Sequence, residues 1–239
     1  MRRVVLVAAA LTAALGVPAA AGTPRITVYA ASSLTEVFPQ IDARPHYSFA
    51  GSDELALQIG EGAPADVFAA ASSRYPEDLY RRGLVEKPRT FALNRLVLIV
   101  PTSNPAHIGS VFDLRRPGVR LVLGAASVPV GKYARQVLAR LGLDAALHNV
   151  VSEERDVKGV VAKVVLGEAD AGLVYVTDVK PVAGKVRAIA VPARGQPTVR
   201  YEIAVVRSSR HRAAARSFIA RVLGEVGRGR LRAAGFLAP

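Results

Sequence analysis

Short runs rich in β-branched and aromatic residues alternate with amphipathic helical stretches along nearly the whole chain after residue 22. This alternation predicts βα units, in which successive strands lie parallel in one sheet and helices cover its faces. Strands are predicted at 26–29, 47–49, 67–70, 96–100, 121–124, 149–151, 173–175, 187–191 and 201–205. Helices are predicted most clearly at 53–60, 131–141, 157–166 and 212–223, with a last one near 227–233.

Two extended segments, 90–101 and 198–207, bracket a middle block that has its own strand and helix alternation. A chain of 239 residues is long enough for one large domain or two small lobes, at roughly 100 to 200 residues per domain. We therefore predict an α/β protein of two lobes, each a mainly parallel sheet flanked by helices, joined by two crossing strands. Lobe I is expected at 22–92 and 200–239, and lobe II at 93–199.

The N-terminal segment has the layout of a secretory signal peptide. Arg2 and Arg3 precede an apolar run at 4–17, which is followed by Pro18 and small residues at 19–22. The run is shorter than the roughly 20 residues needed to span a bilayer. A buried N-terminal helix is the alternative, but the run is apolar all round. We expect a signal peptide at 1–21, a periplasmic protein and no stable membrane insertion after cleavage.

Cysteine is absent from the sequence. Its absence excludes disulfide frameworks, thiolate metal sites, thiol catalysis and a lipid-modified cysteine after the signal. The formal charge of +13 arises from 32 basic and 19 acidic residues, and such an excess can mark a nucleic-acid-binding surface. The densest basic stretch, 207–232, lies on predicted amphipathic helices without interleaved aromatic residues. It indicates a solvated face, so no nucleic-acid partner is expected, although the positive potential would steer small anions inward.

An enzyme is the competing functional class, and the sequence provides little for one. The four histidines are separated from one another and from acidic clusters: His46, His107, His148 and His211. Nucleophile-elbow, zinc-protease, dinucleotide-binding and phosphate-loop motifs do not occur. Serines near strand ends would need a neighbouring base to act as nucleophiles, and no histidine falls there. We predict a binding protein with no catalytic residues.

Small and hydroxyl residues follow several of the predicted strands. Ser33 and Ser52 stand where helices should begin and are predicted N-caps, while 128–131 and 156–159 open two further helices. In open α/β sheets, ligands bind beyond the carboxyl ends of the strands. Free amides and dipoles at helix starts favour anions. Four helix starts at one edge therefore predict an anion site.

Five blocks in order along the chain resemble the periplasmic molybdate-binding proteins of bacterial ABC importers. They are VYAASSLT at 28–35, FAGS at 49–52 with GAPADVF at 62–68, VPVGKYA at 128–134, DVKG at 156–159 and AGLVY at 171–175. The resemblance covers nearly the whole chain after the signal. It implies a two-lobed type II periplasmic binding-protein fold that closes over a dehydrated tetrahedral oxyanion.

The resemblance also implies the ligand, its contacts and the partners. Molybdate, and tungstate as an ion of similar size and charge, would be held by the residues at the matching positions. These are the hydroxyls and amides of Ser33 and Ser52, the amides of Val130 and Val157, and the hydroxyl of Tyr175. Molybdenum would be bound only as its oxyanion through these residues, without a cofactor. The partner would be the membrane permease of an ABC importer, and a monomer is expected.

Neutral donors would reject phosphate, because its proton would meet no acceptor. Sulfate or a small organic anion is the alternative ligand, although an organic acid would normally need an arginine clamp. Three departures from the family pattern stand out. Val130 replaces the usual alanine, the segment from Ser33 to Ser52 is short and contains Pro39, and Asp53 replaces a small hydroxyl residue. We expect a clipped first helix and an Asp53 carboxylate turned about 100° from the cap toward solvent.

Overall fold

The computed structural model describes residues 25–239, so the predicted signal peptide at 1–21 lies outside the described residues. The described part contains ten strands: β1 (Thr27–Ala31), β2 (His46–Ala50), β3 (Val67–Ala70), β4 (Arg89–Asn94), β5 (Leu96–Pro101), β6 (Leu121–Gly124), β7 (Val150–Glu154), β8 (Ala171–Tyr175), β9 (Val186–Ala190) and β10 (Val199–Val205). Its α-helices are α1 (Phe38–Ile41), α2 (Ser52–Gly60), α3 (Arg74–Arg81), α4 (Pro129–Arg140), α5 (Val157–Val165), α6 (Arg212–Leu223) and α7 (Glu225–Ala233).

The strands form two sheets of five, in the orders β2-β1-β3-β10-β4 and β7-β6-β8-β5-β9. In the first sheet β1 runs parallel to β2 and β3, while β10 is antiparallel to β3 and β4. In the second sheet β6 runs parallel to β7 and β8, while β5 is antiparallel to β8 and β9. The predicted two-lobed α/β architecture is confirmed. Each sheet is mixed because a strand of the crossing segments joins it in the antiparallel sense.

The first crossing between the sheets is a single residue, Arg95, between β4 and β5. Sequence patterning predicted one extended segment here, and the structure divides it between the two sheets. The Asn94 side-chain oxygen accepts a hydrogen bond from the Arg95 amide at 2.9 Å. Across from it, Gln196 accepts from the Leu96 amide at 3.0 Å and donates to the Leu96 carbonyl at 2.8 Å. These side chains supply hydrogen-bond partners to backbone groups where the hydrogen bonds between strands are interrupted.

The central strands are buried along their whole length. Residues of β3, β5, β6 and β8 are all buried, as expected for strands covered on both faces. At the base of the space between the sheets, the fully buried Tyr201 ring on β10 meets three other rings edge-on. The centroid distances are 5.9 Å to Phe91, 5.8 Å to Tyr175 and 5.2 Å to Phe236. Edge-to-face packing of this kind favours one ring orientation.

Two helices differ in how far sequence patterning predicted them. The clipped first helix is confirmed, since α1 has four residues and Pro39 lies in its first turn. Patterning missed α3, because Pro76 interrupts its apolar pattern; the structure places that proline early in the helix, where a missing N–H costs little. Among residues 25–239, every helix is too short or too polar to cross a membrane.

Candidate anion site between the lobes

The carboxyl ends of the parallel strands of both sheets face one narrow cleft. Its cavity volume is about 10 Å³, far below the roughly 300–1,000 Å³ of pockets that take drug-sized ligands. All five residues predicted as oxyanion ligands line it: Ser33, Ser52, Val130, Val157 and Tyr175. Their roles as ligands remain a prediction. What the fold decides is that residues from five separate blocks meet around a space suited to a small ion.

The two serines on the lobe I side are not N-caps, so that prediction is wrong. Ala31 precedes the 3-10 turn that contains Ser33, and Gly51 is the N-cap of α2, with Ser52 as its first helical residue. Ser52 stands one residue and Ser33 two residues past the cap position, so the hydroxyls do not cap their own helix starts. They bond instead to neighbouring strands and remain at the cleft wall.

Each serine hydroxyl has a partner behind the cleft. Ser52 Oγ accepts a hydrogen bond from the Ala71 amide at 3.1 Å, and Ser33 Oγ lies 2.9 Å from the Tyr201 hydroxyl. An amide nitrogen can only donate, so the single proton of Ser52 is left to point elsewhere. Ser52 is buried and lines the cleft, so that proton is available to an acceptor held there.

The lobe II side of the cleft is built from the starts of α4 and α5. The first N–H groups of a helix have no partner within it, and the helix dipole makes this end positive. Pro129 occupies the first position of α4 and Val130 the second. At the start of α5, Asp156 Oδ1 accepts from the amides of Lys158 at 2.7 Å and Gly159 at 3.0 Å. The cap takes the second and third amides of α5 and leaves the first, that of Val157.

Tyr175 is the last residue of β8 and its side chain is 1% exposed. Within residues 25–239 its hydroxyl has no hydrogen-bond partner, although it lies in the cleft. Burial raises the pKa of Tyr175 well above its usual range, so the hydroxyl keeps its proton. A buried, unpartnered donor of this kind costs stability unless something in the cleft accepts from it.

Two carboxylates that sequence reasoning did not place in the site lie close to it. Asp156 lines the cleft, and its charge is engaged by the helix cap. Asp178 lies behind Tyr175, where its Oδ2 accepts from the Tyr175 amide at 3.2 Å and its Oδ1 is 3.5 Å from Lys158 Nζ. Burial raises the pKa of Asp178 to about 6, although the Lys158 charge opposes the rise. The sequence signal for Asp178 was its place three residues after Tyr175, in VYVTD.

The expectation that Asp53 faces solvent is wrong for one of its oxygens. In the described part of the chain, Asp53 Oδ1 is buried without a hydrogen-bond partner, although Asp53 does not line the cleft. A Cβ atom at Gly51 would come within 2.6 Å of both this oxygen and the Arg155 carbonyl oxygen. Glycine at position 51 therefore permits the close approach of the two lobes beside the site.

Histidines and basic side chains are absent from the cleft wall, as far as the described residues extend. Over the same residues, no three acidic or histidine side chains gather into a group that could hold a metal ion. The cleft wall in this part of the chain therefore has no histidine beside Ser33 or Ser52 and no arginine clamp, and the Oδ1 atom of its acid, Asp156, is engaged by the cap of α5. Its chemistry is that of hydrogen-bond donors around a small space.

Comparison with known proteins gives the same architecture. The family model of bacterial extracellular solute-binding proteins matches residues 26–237. The chain is 39% identical over 228 residues to the molybdate-binding protein ModA of Mycobacterium tuberculosis H37Rv, covering 91% of this chain and 86% of that protein. It is 34% identical to ModA of Haemophilus influenzae, covering 83% and 84%. The solved periplasmic molybdate-binding protein of Azotobacter vinelandii superposes with a TM-score of 0.79 at 24% identity, covering 90% of this chain and 100% of that one. The type II periplasmic binding-protein fold is confirmed.

Proposed function

The chain belongs to the bacterial extracellular solute-binding protein family, and from that premise we propose that it captures molybdate between its lobes and delivers it to the membrane permease of an ABC importer. The family binds solutes and is not enzymatic, in agreement with the sequence-based prediction. Identity of 39% to a protein named for molybdate binding, over 91% of this chain, supports molybdate as the solute.

The observation that carries the proposal is the composition of the cleft wall. Serine and tyrosine hydroxyls and the starts of two helices line it together with one acid, the helix-capping Asp156, and no basic side chain does among residues 25–239. We assign as ligand donors the hydroxyls and amides of Ser33 and Ser52, the amides of Val130 and Val157, and the Tyr175 hydroxyl. Such donors balance the charge of a dianion through directed hydrogen bonds and helix dipoles. A permanent buried cation would hold the anion too unselectively and would itself need a partner in the empty state.

Selectivity follows from the same donors. An anion that carries a proton would place that proton against another donor, so phosphate is disfavoured. Fixed donors also define one preferred radius, which disfavours the smaller sulfate ion. Tungstate is bound as well under this proposal, because it matches molybdate in size and charge. A small organic anion fits poorly, since the cleft is small and offers no arginine to clamp a carboxylate.

The remaining features of the proposal concern the setting. The family is extracytoplasmic, and we assign this chain to the periplasm with residues 1–21 as its signal peptide and no stable membrane insertion after cleavage. The mature protein acts as a monomer, needs no cofactor and binds no nucleic acid. Lobe I is assigned to 22–92 and 200–239 and lobe II to 93–199, with the molybdate ligands contributed by both.

A thermal-shift screen of the mature protein tests the proposal. Molybdate and tungstate at 100 times their dissociation constants should each stabilise the folded state by about 2.7 kcal/mol. Sulfate, phosphate and citrate at equal concentration and ionic strength should shift the melting temperature little. Isothermal titration calorimetry with molybdate then gives the stoichiometry, expected to be one ion per chain. Stabilisation by sulfate alone, or by an organic anion alone, would replace molybdate as the proposed ligand.

A further inference from the structure

A chain of buried polar side chains runs behind Ser33. The Ser33 hydroxyl lies 2.9 Å from the Tyr201 hydroxyl, and Asn94 Nδ2 lies 3.4 Å from the same Tyr201 oxygen. Asn94 Nδ2 also donates to Thr177 Oγ1 at 3.0 Å. Tyr201 is completely buried, and the other three side chains are at most 8% exposed. Water is therefore largely excluded, and the proton of each hydroxyl must be directed by its protein neighbours.

The direction of this chain can be worked out from Asn94. Its side-chain oxygen accepts from the Arg95 amide, so the nitrogen must be the atom that faces Tyr201 and Thr177. That nitrogen can only donate, which makes the Tyr201 oxygen an acceptor on this side. The proton of Tyr201 then has Ser33 Oγ, 2.9 Å away, as the acceptor on its other side. Ser33 Oγ becomes an acceptor, and its own proton is left for the cleft.

We propose that Tyr201 and Asn94 are positioning residues that fix the Ser33 hydroxyl as a hydrogen-bond donor toward the cleft. The proposal rests on the proposed function, because an oriented serine donor favours the binding of an oxyanion that carries no proton. A lone serine could rotate and accept a proton from hydrogen phosphate. With Tyr201 donating to it, the Ser33 proton is directed into the cleft, so an anion that carries its own proton meets another proton at this position.

A similar arrangement exists at Ser52, with a different donor behind it. There the Ala71 amide donates to Ser52 Oγ, and backbone geometry sets the direction without any side chain. Strand β1 leads into the turn that holds Ser33, and the neighbour available to this hydroxyl is a tyrosine side chain on β10. A phenol can donate or accept, so an additional residue, Asn94, is required to set its direction. This explains why an amide side chain is buried where the chain passes between the sheets.

The test is a double-mutant cycle on molybdate affinity, measured by titration calorimetry on Tyr201→Phe, Ser33→Ala and the double variant. Phenylalanine keeps the ring and its edge-on contacts, so only the hydroxyl is lost. In the wild-type background Tyr201→Phe should weaken molybdate binding about fivefold. In the Ser33→Ala background it should change affinity by less than about 1.5-fold, because Tyr201 then has no serine hydroxyl to orient. Damage to the lobe in general would weaken binding equally in both backgrounds.

The matched control is Tyr47→Phe, which removes a partly buried hydroxyl in the same sheet, where it donates to the Asp42 carbonyl. It should lower the melting temperature and leave molybdate affinity unchanged. If Tyr201→Phe fails to fold, Asn94→Leu is taken through the same cycle, with about a twofold loss expected only when Ser33 is present.

Equal losses with and without Ser33, or wild-type affinity in Tyr201→Phe, would overturn the inference while leaving the proposed function intact. A wild-type protein that does not bind molybdate would overturn the proposed function and this inference together. The wild-type titration therefore comes first.

Discussion

The two sides of the cleft present hydrogen-bond donors in different ways. On the lobe I side, Ser33 and Ser52 are side-chain donors, and each hydroxyl oxygen is engaged by a group behind the cleft. On the lobe II side, the amides of Val130 and Val157 are fixed by the starts of α4 and α5. The Tyr175 hydroxyl, also on that side, has no partner among the described residues.

This difference shows which lobe loses stability when the cleft holds no ligand. In lobe I each serine oxygen already accepts a hydrogen bond, so only the serine protons await a ligand. Lobe II carries an unpartnered buried hydroxyl and rests on a buried acid, Asp178, beside the positive charge of Lys158. We expect side-chain substitutions to separate the two sides by their effects on the empty protein, even where their effects on affinity are alike.

The largest expected effect is on the pH dependence of stability, and it belongs to lobe II. Burial raises the pKa of Asp178 to about 6 from an ordinary value of 3.8. An acid whose pKa is higher in the folded state stabilises the fold when it is protonated. This contribution is therefore present below about pH 4 and is lost as the pH rises through about 6. Asp178→Asn should match the wild type near pH 4 and be more stable near pH 7, by up to roughly 3 kcal/mol.

Urea unfolding of both proteins across this pH range measures the difference. Lys158 on α5 and Asp156 are the charged groups that face Asp178, and neither is altered by the substitution. Asparagine can still accept from the Tyr175 amide. A difference in unfolding free energy that is constant from pH 4 to 7 would assign the effect to packing rather than to the carboxyl proton.

The next largest effect removes a backbone donor. Val157 is the first residue of α5, where proline is tolerated, and Asp156 before it is extended, as a residue preceding proline must be. Val157→Pro should therefore keep the helix and lose one amide donor, weakening molybdate binding about 10- to 150-fold. Val157→Ala, which keeps the amide, should change affinity by less than about threefold.

Glu225→Pro is the matched control, because Glu225 begins α7 after an extended Gly224 and lies away from the cleft. It should leave molybdate affinity unchanged in titration calorimetry. Similar affinities in Val157→Pro and the wild type would remove this amide from the proposed ligand set.

A third comparison pairs one hydroxyl from each side. Ser52→Ala and Tyr175→Phe should each weaken molybdate binding by roughly tenfold or more. Their effects on the stability of the empty protein should differ. Ser52→Ala leaves the buried Ala71 amide without its acceptor and should destabilise by about 1 kcal/mol, whereas Tyr175→Phe removes an unpartnered buried hydroxyl and should be neutral or slightly stabilising. Thermal unfolding without ligand decides this, and a shared sign would show that the two sides are prepared alike.

The smallest expected effect concerns Asp53, where the lobes approach each other beside the site. Asp53→Asn removes the charge of a side chain whose Oδ1 is buried without a partner beside Gly51, where the Arg155 carbonyl oxygen also lies. Because Asp53 does not line the cleft, molybdate affinity should rise by less than about threefold, or roughly 0.7 kcal/mol. Glu54→Gln, on the exposed neighbouring position, serves as the control for charge alone. A gain of tenfold or more would place the Asp53 charge within reach of the ligand.

Much of the fold could be predicted from local patterns. Predicted strands at 67–70 and 121–124 coincide with β3 and β6, and the predicted helix at 212–223 coincides with α6. The errors lie where a local pattern has two solutions. The segment 90–101 is extended whether it forms one long strand or two strands. Only its contacts with β10 on one side and with β8 and β9 on the other divide it at Arg95. Pro76 reads as a helix breaker unless it is known to fall in the first turn.

The sequence by itself determined where most strands end and helices begin, because these positions depend on nearby residues. Small residues, hydroxyls and four helix starts predicted an anion site, and the resemblance of five ordered blocks to molybdate-binding proteins implied its five candidate ligands. Only the tertiary structure decided what lies behind them: Tyr201 and Asn94 behind Ser33, the Ala71 amide behind Ser52, and Asp178 behind Tyr175. The first of these contacts joins residues 168 positions apart. Partners so distant in the chain are set by strand order and lobe packing, which leave no local pattern to read.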